Sequence, residues 1–338
     1  MTCQVSVCIP AYQEPELAAR AVGSALDQVG CDIEVVVTDD SPDDRVRQGL
    51  APFLLDRRLK YFRNEERLGA INNWNEALRR SSGAVKKVLH HDDWFAHQDA
   101  LRRFVDPIAS GHAKIVFSAC NERTPGGGSD FVRVAPPEQI DRLRKTPRLL
   151  ALGNFIGAPS VIAFHASLQE RFNPKYLWVS DVDFYVRLIE EAGGDFIYVD
   201  EALLNIGTLL PSQLSRECQR ERLRSFYEHA DLISAQRFSG DDRKSAVAAL
   251  KTEAEALSLA ELLSLAGGAP SYGPVGMASE LQRLAKTSLL DRARALPFGL
   301  VWAAYQRLNR MTGGASRRLV HAVRAQLRHF LGHQDARR

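Results

Sequence analysis

A chain of 338 residues, 45% of them hydrophobic and 25% charged, has the apolar mass to bury a sizeable core and reads as one large domain with an appendage. Its five cysteines are odd in number and form no CxxC pair, so they read as buried reduced thiols and exclude a disulfide framework or a zinc knuckle. The net charge of +3 is uneven: from residue 277 onward twelve Lys/Arg face three Asp/Glu, a surplus of nine that leaves the first 276 residues at −6.

The opening MTCQVSVCIPAYQE lacks the basic segment, apolar stretch and small-residue cleavage site of a signal peptide. No run approaches the roughly 18 apolar residues of a membrane span, so the expectation is a cytoplasmic protein. In chain order, VSVCI (5–9) and IEVVVT (33–38) read as strands. Between them, residues 17–29 set Leu17, Val22, Ala25, Leu26 and Val29 along a helical face, which makes a βαβ unit. A helix over 45–54, a strand at 60–64, a helix over 71–80 and a strand at 85–89 repeat the alternation. That order argues for an α/β fold, a mixed, mostly parallel sheet flanked by helices, with ligands bound beyond the carboxyl ends of the strands. A helix at 97–105, a strand at 114–120, a glycine-rich loop at 122–130, a helix at 181–192 and a strand at 196–200 follow. Past about residue 220 the pattern is wholly helical, with a Pro/Gly linker at 266–276.

Three acidic sites fall at the ends of these elements. Asp39-Asp40-Ser41 follows the second strand, and Asp and Ser there are also ordinary helix caps. His90-His91-Asp92-Asp93 follows the fourth strand; adjacent carboxylates repel unless a proton or cation compensates, so the pair suits a divalent metal better than a cap. The two histidines point to opposite sides of an extended chain and do not together grip one zinc. Ser180-Asp181-Val182-Asp183 opens a helix, where the dipole alone favours acids, and Arg187 stands at i,i+4 from Asp183.

Six segments, VSVCIPAYQE, VVVTDDSPDD, RLGAINNWNEAL, VLHHDDWF, GNFIGAPSVIAF and SDVDFYVRL, come in an order that resembles family 2 glycosyltransferases of the GT-A fold, over residues 5 to about 215. The resemblance implies a Rossmann-like GT-A catalytic domain at 1–220, its donor-binding half about 1–95 and its acceptor-side half about 96–220, with a C-terminal all-helical extension at 221–338. By the same resemblance Pro10, Tyr12, Glu14, Asp39, Asp40 and Asn73 hold the nucleotide of a nucleotide-diphosphate sugar donor. A carboxylate at Asp40 suits the N3–H of uracil or thymine, a proton that cytosine lacks. Asp93 would be the metal ligand, with Asp92 contributing to metal and donor, and the cofactor would be Mn2+ or Mg2+. His90 stands where relatives carry an acid, and Ser180 where they carry Glu. Asp181 matches the general base of an inverting displacement, with Gly157, Pro159, Ser160 and Asp183 on the acceptor side.

The implied function is transfer of a sugar to a glycan or lipid-linked saccharide acceptor in bacterial surface polysaccharide synthesis. A non-catalytic nucleotide-sugar-binding scaffold of the same fold is the alternative, supported by the His90 and Ser180 departures. The first strand turns without glycine, so no GxGxxG fingerprint supports a dinucleotide enzyme, and GxxxxGK[ST] is missing as well. Residues 315–331 form a basic amphipathic stretch that suits an anionic membrane surface, a homodimer contact or packing on the body. It lacks the interleaved aromatics of a nucleic-acid surface.

Overall fold

The computed structural model describes residues 4–124, 130–208, most positions from 210 to 262, Leu265 and 284–289. The linker at 266–276, the glycines of the 122–130 loop and the basic stretch at 315–331 lie outside the described residues. The chain divides into two compact units: residues up to 221 with Ala235–Asp242, and Arg222–Ser234 with the described residues from 243 onward.

In the first unit, strand β1 (Gln4–Ala11), helix α1 (Pro15–Leu26) and strand β2 (Asp32–Asp39) form the first βαβ turn. Pro15 starts α1, whose missing N–H costs nothing at that position, and Ala18, Ala21, Val22, Ala25 and Leu26 make its buried face. The helix stops at Leu26, so Val29, expected on that face, is exposed. The expected helix over 45–54 is a short α2 (Arg45–Gly49) and a separate 3-10 turn, Ala51–Phe53, because Pro52 cannot continue the α-helical hydrogen bonds. Strand β3 (Leu59–Arg63), helix α3 (Ala70–Arg80) and strand β4 (Val85–Val88) close this half.

The second half contains β5 (Trp94–Phe95), α4 (Ala100–Ala109), β6 (Ile115–Arg123), β7 (Phe131–Arg133), α5 (Pro137–Lys145), β8 (Ile162–His165), α6 (Ser180–Glu191) and β9 (Phe196–Gly207). The sheet order is β3-β2-β1-β4-β8-β6-β9-β5, with β7 on β6. β8 runs antiparallel between β4 and β6, yet β1, β2, β3, β4, β6 and β9 share one direction, so the sheet is mostly parallel. Their carboxyl ends bring residues 11–14, 39–41, 89–93 and 207 to one edge. β9 is longer than the FIYVD run: its register on β6 shifts beyond Ser118, where exposed Asp200 and Glu201 break the apolar pattern, and then it continues to Gly207.

The second unit contains most of two helices, α7 (Arg222–Ala235) and α8 (Gly240–Glu255). Phe226, Ala230 and Ile233 of α7 are buried at helical spacing.

Candidate functional site

At the end of β1 the chain makes a tight turn in which Glu14 N–H donates to the Tyr12 carbonyl at 2.8 Å. The central residue, Gln13, has φ +60, a strained backbone for a side chain, and its N–H is held by Ser41 Oγ at 2.7 Å. Tyr12 and Glu14 stay partly exposed, Tyr12 under the Arg67 guanidinium at 4.8 Å, and the Glu14 side chain makes no capping bond to α1. Pro10 is buried; lying past the end of β4, it leaves no ladder bond unmade on that side, and its carbonyl pairs with His91 Nδ1 at 3.2 Å.

Neither Asp39 nor Asp40, at the end of β2, is the N-cap of a helix. Asp39 is fully buried, one oxygen accepting from Ser41 N–H at 2.9 Å and the other from the Tyr61 hydroxyl at 2.6 Å. Asp40 gathers the loop before α3: Oδ1 accepts from Asn64 Nδ2 at 2.9 Å and Leu68 N–H at 2.7 Å, and Oδ2 from Gly69 N–H at 2.9 Å. Asn73, expected against the nucleotide, is buried, and its amide joins the Ala11 and Thr38 carbonyls and Asn64. Asp39 and Asn73 therefore sit behind the edge and brace it, while Tyr12 and Glu14 stand on it.

At the end of β4, ligand atoms of His90, Asp92 and Asp93 lie within 4.8 Å of one another. Asp93 is buried and accepts from Ser160 Oγ at 2.5 Å and Gly207 N–H at 3.0 Å. Burial, with the Asp92 charge beside it, pushes the Asp93 carboxyl well above the ordinary carboxylate range. Asp92 is partly exposed; Gln213 Nε2 donates to its Oδ2 at 3.2 Å and also to the Gly207 carbonyl. Gly207 is required here, since a Cβ would come 2.7 Å from the Asp92 carbonyl. The His90 ring packs against Trp74, tilted by 40° with centroids 4.3 Å apart, and its Nε2 is buried with no hydrogen-bond partner among the described residues. Burial lowers the His90 pKa to about 4, which leaves the imidazole neutral. A neutral imidazole with an unspent nitrogen and two converging carboxylates is a donor set suited to a divalent cation.

Ser160 corrects an expectation. Expected on a surface that meets the acceptor, it is fully buried, and its hydroxyl donates to Asp93 and takes His90 N–H at 2.8 Å. Its carbonyl accepts from Lys87, a fully buried amine that also donates to the Val88 carbonyl at 2.6 Å and lies 4.6 Å over the Phe104 ring. Burial lowers the Lys87 pKa to about 7. Sequence reading missed Lys87, although two lysines inside an apolar interior strand were the signal for it. Pro159 is buried and begins the 3-10 turn that carries Ser160.

Asp181 lies in the first turn of α6. Protein surrounds most of it, which pushes its carboxyl up to about 6, yet part of its surface stays open. Its partners are neutral: Val182 N–H at 2.7 Å on Oδ1 and Asn154 Nδ2 at 2.7 Å on Oδ2. Asp183, the neighbouring acid, is 6% exposed and held by Arg187 at 2.7 and 2.9 Å, so its charge is already paired within the helix. Ser180 is buried, with its hydroxyl on the Leu177 carbonyl at 3.1 Å. Gly157, φ +116, offers its carbonyl to Tyr185 Oη at 3.2 Å and to Asn154 at 3.1 Å.

Residues 6–172 match the Glycosyl transferase family 2 model. The relatives found by sequence include two whose descriptions differ in detail. One, of Mycobacterium tuberculosis, is described as the uncharacterized protein MT1568; it is 37% identical over 57% of this chain and 64% of its own length. The other, of Campylobacter jejuni, is a GalNAc(5)-diNAcBac-PP-undecaprenol beta-1,3-glucosyltransferase, 28% identical over 54% of this chain and 62% of its own length. The matched part thus spans less than two thirds of either relative. Solved structures that share the fold include two with TM-scores above 0.5. Staphylococcus aureus TarS 1-349 has a TM-score of 0.52 at 16% identity, covering 87% of this chain and 93% of that one. The mannosyltransferase PcManGT of Pyrobaculum calidifontis, solved with GDP-Man and Mn2+, has a TM-score of 0.51 at 18% identity, covering 96% and 87%.

Proposed function

We propose, from the premise that residues 6–172 are a family 2 glycosyl transferase region of the GT-A fold, that the protein transfers a sugar with inversion from a nucleotide-diphosphate sugar to a hydroxyl of a glycan or lipid-linked saccharide. The observation that carries this reading is Asp181: a carboxylate whose hydrogen-bond partners among the described residues are all neutral, on a partly exposed residue and with a pKa of about 6, is poised to take a proton near neutral pH. The acceptor hydroxyl gives its proton to Asp181 as its oxygen forms the new bond to the anomeric carbon. The bond to the diphosphate breaks on the opposite face, and the nucleoside diphosphate leaves with that electron pair.

His90, Asp92 and Asp93 would hold the divalent cation, Mn2+ or Mg2+, which supplies charge neutralisation for the departing diphosphate. The nitrogen donor sits where relatives place an acid. For the base, Asp40 Oδ2 takes one N–H, from Gly69, and keeps a lone pair for one donor more. Uracil and thymine offer such an N3–H, which makes UDP- or dTDP-linked sugars the donor class. The name of the Campylobacter relative specifies a PP-undecaprenol glycan, and that motivates the lipid-linked acceptor and a place in surface polysaccharide synthesis. Among the described residues no helix is long and apolar enough to cross a membrane. The membrane or dimer role of residues 315–331 stands on the sequence alone.

The test is calorimetric binding of UDP, TDP, GDP and CDP, each with Mn2+ and with a chelator, on the unaltered chain and on Asp93→Ala. The expected outcome is cation-dependent binding of UDP or TDP, weakened in the variant toward its level with chelator. If none of the four binds under either condition, the donor reading fails.

A further inference from the structure

We infer that Asn154 is the positioning residue of the Asp181 carboxylate, a role that as part of catalysis rests on the reading of Asp181 as the base. The Asn154 amide is committed on both sides. Its Oδ1 accepts from Ile156 N–H at 3.0 Å and Gly157 N–H at 2.9 Å, and its Nδ2 donates to the Gly157 carbonyl at 3.1 Å and Asp181 Oδ2 at 2.7 Å. Turning the amide over would set its oxygen against a carbonyl and a carboxylate and its NH2 against two N–H donors. The loop's own backbone therefore dictates that a donor faces Asp181.

The loop that carries this amide is tied to α6 independently of it. Tyr185, one turn beyond Asp181, donates its hydroxyl to the same Gly157 carbonyl. Gly157 holds φ +116, which other residues rarely adopt, and an added Cβ would stand 3.3 Å from Arg133 Cδ. With Oδ2 on the Asn154 amide and Oδ1 on Val182 N–H, the carboxylate plane has no freedom to rotate. The donor also favours the ionised form against the burial that disfavours it. The other titratable and charged groups around Asp181 are Tyr185 and the Asp183–Arg187 pair on its own helix, Arg148 on the 3-10 turn Pro147–Leu152, and Arg133 beyond Gly157; none of them hydrogen-bonds to it among the described residues. Among the described residues Asn154 is thus the one side chain that hydrogen-bonds to this carboxylate, fixing the direction of Oδ2 and adding to the backbone N–H groups that favour its ionised form.

The deciding experiment is a pH titration of the full chain labelled with 13C at aspartate carboxyls, the Asp181 signal being assigned by its loss in Asp181→Asn. It needs neither donor nor acceptor, so it reads the positioning separately from the transfer reaction. The unaltered protein should show a midpoint near 6. In Asn154→Ala the midpoint should rise by about one pH unit or more, the scale of a lost hydrogen bond to a charged group. Asn154→Asp keeps the oxygen that holds Ile156 and Gly157 N–H, so the turn survives, but sets two acids in contact; they should share a proton and titrate in two steps. If Asn154→Ala does not fold, Asn154→Asp decides alone. An Asp181 midpoint unmoved in folded Asn154→Ala, or a single unshifted step in Asn154→Asp, would overturn the inference, because a donor in contact with Oδ2 cannot be lost without moving that titration.

Discussion

The two ends of the sheet treat buried carboxylates in opposite ways. At the amino-terminal edge Glu34 is 3% exposed and surrounded by donors: Lys60 from β3, Ser6 Oγ from β1 at 2.5 Å, and Ser82 N–H and Oγ at 2.5 and 2.9 Å. Burial pushes its carboxyl up, but these bonds outweigh burial and bring it down to about 2. At the carboxyl-terminal edge Asp93 and Asp181 are enclosed as well, yet neither hydrogen-bonds to a cationic side chain among the described residues, and both are shifted upward by burial. An acid that only holds the fold together is supplied with its full complement of partners. An acid left short of them has capacity for a cation or a proton, and the two at this edge are short in different ways: Asp93 beside another acid, Asp181 among neutral groups.

The sharpest way to break this contrast is to remove the charge that has only neutral partners. Asp181→Asn keeps the shape and the packing of α6 but cannot accept a proton. Turnover should fall about 10²- to 10⁴-fold, the usual worth of a positioned base, while calorimetric affinity for the nucleotide stays within about twofold. Equal losses in binding and turnover would mean that Asp181 shapes the cleft and takes no proton.

How far these two ends were legible in the sequence differs for physical reasons. The strand-helix alternation of the first 90 residues is local patterning, and the structure follows it in β1, α1, β2, β3, α3 and β4. β8 was not legible as a strand, because four residues inserted antiparallel between β4 and β6 are fixed only by pairing with strands distant in sequence. The acids of the carboxyl edge announced themselves by doubling and by strand-end position, whereas Glu34 sat within an apolar run and gave no sign of its partners. Asn154 was hidden in GNFIGAPS among small residues, since its role exists only once folding brings Asp181, 27 residues later, against it. The bond of Ser160 to Asp93 was hidden for the same reason: the two are 67 residues apart.

Glu34 provides the control on stability. Its folded pKa lies below its unfolded value of about 4.5, so its contribution is complete above that pH and is lost as pH falls toward about 2. The shift corresponds to about 3 kcal/mol. Glu34→Gln should lose a comparable amount at pH 7 in urea unfolding and show a flatter profile between about pH 4.5 and 2. Parallel profiles for the two proteins across that window would mean that the Lys60 pair is screened and the edge is held by packing alone.

Lys87 tests the smallest step of the comparison, whether a buried cation near the acidic cluster acts on it through charge or through Ser160. Lys87→Met removes the ammonium and keeps the length of the chain. It leaves the Ser160 and Val88 carbonyls without that donor, at about 1–3 kcal/mol, and removes the cost of a buried charge, which offsets part of it. Net stability without ligands should therefore move by only about 1 kcal/mol. Ser160, no longer anchored at its carbonyl, should hold Asp93 less firmly, and the rise in melting temperature produced by Mn2+ with UDP or TDP should shrink. An unchanged rise would show that the 3-10 turn of Pro159–Val161 positions Ser160 without the lysine, and that Lys87 serves only to fill the space between β4 and the Phe104 ring.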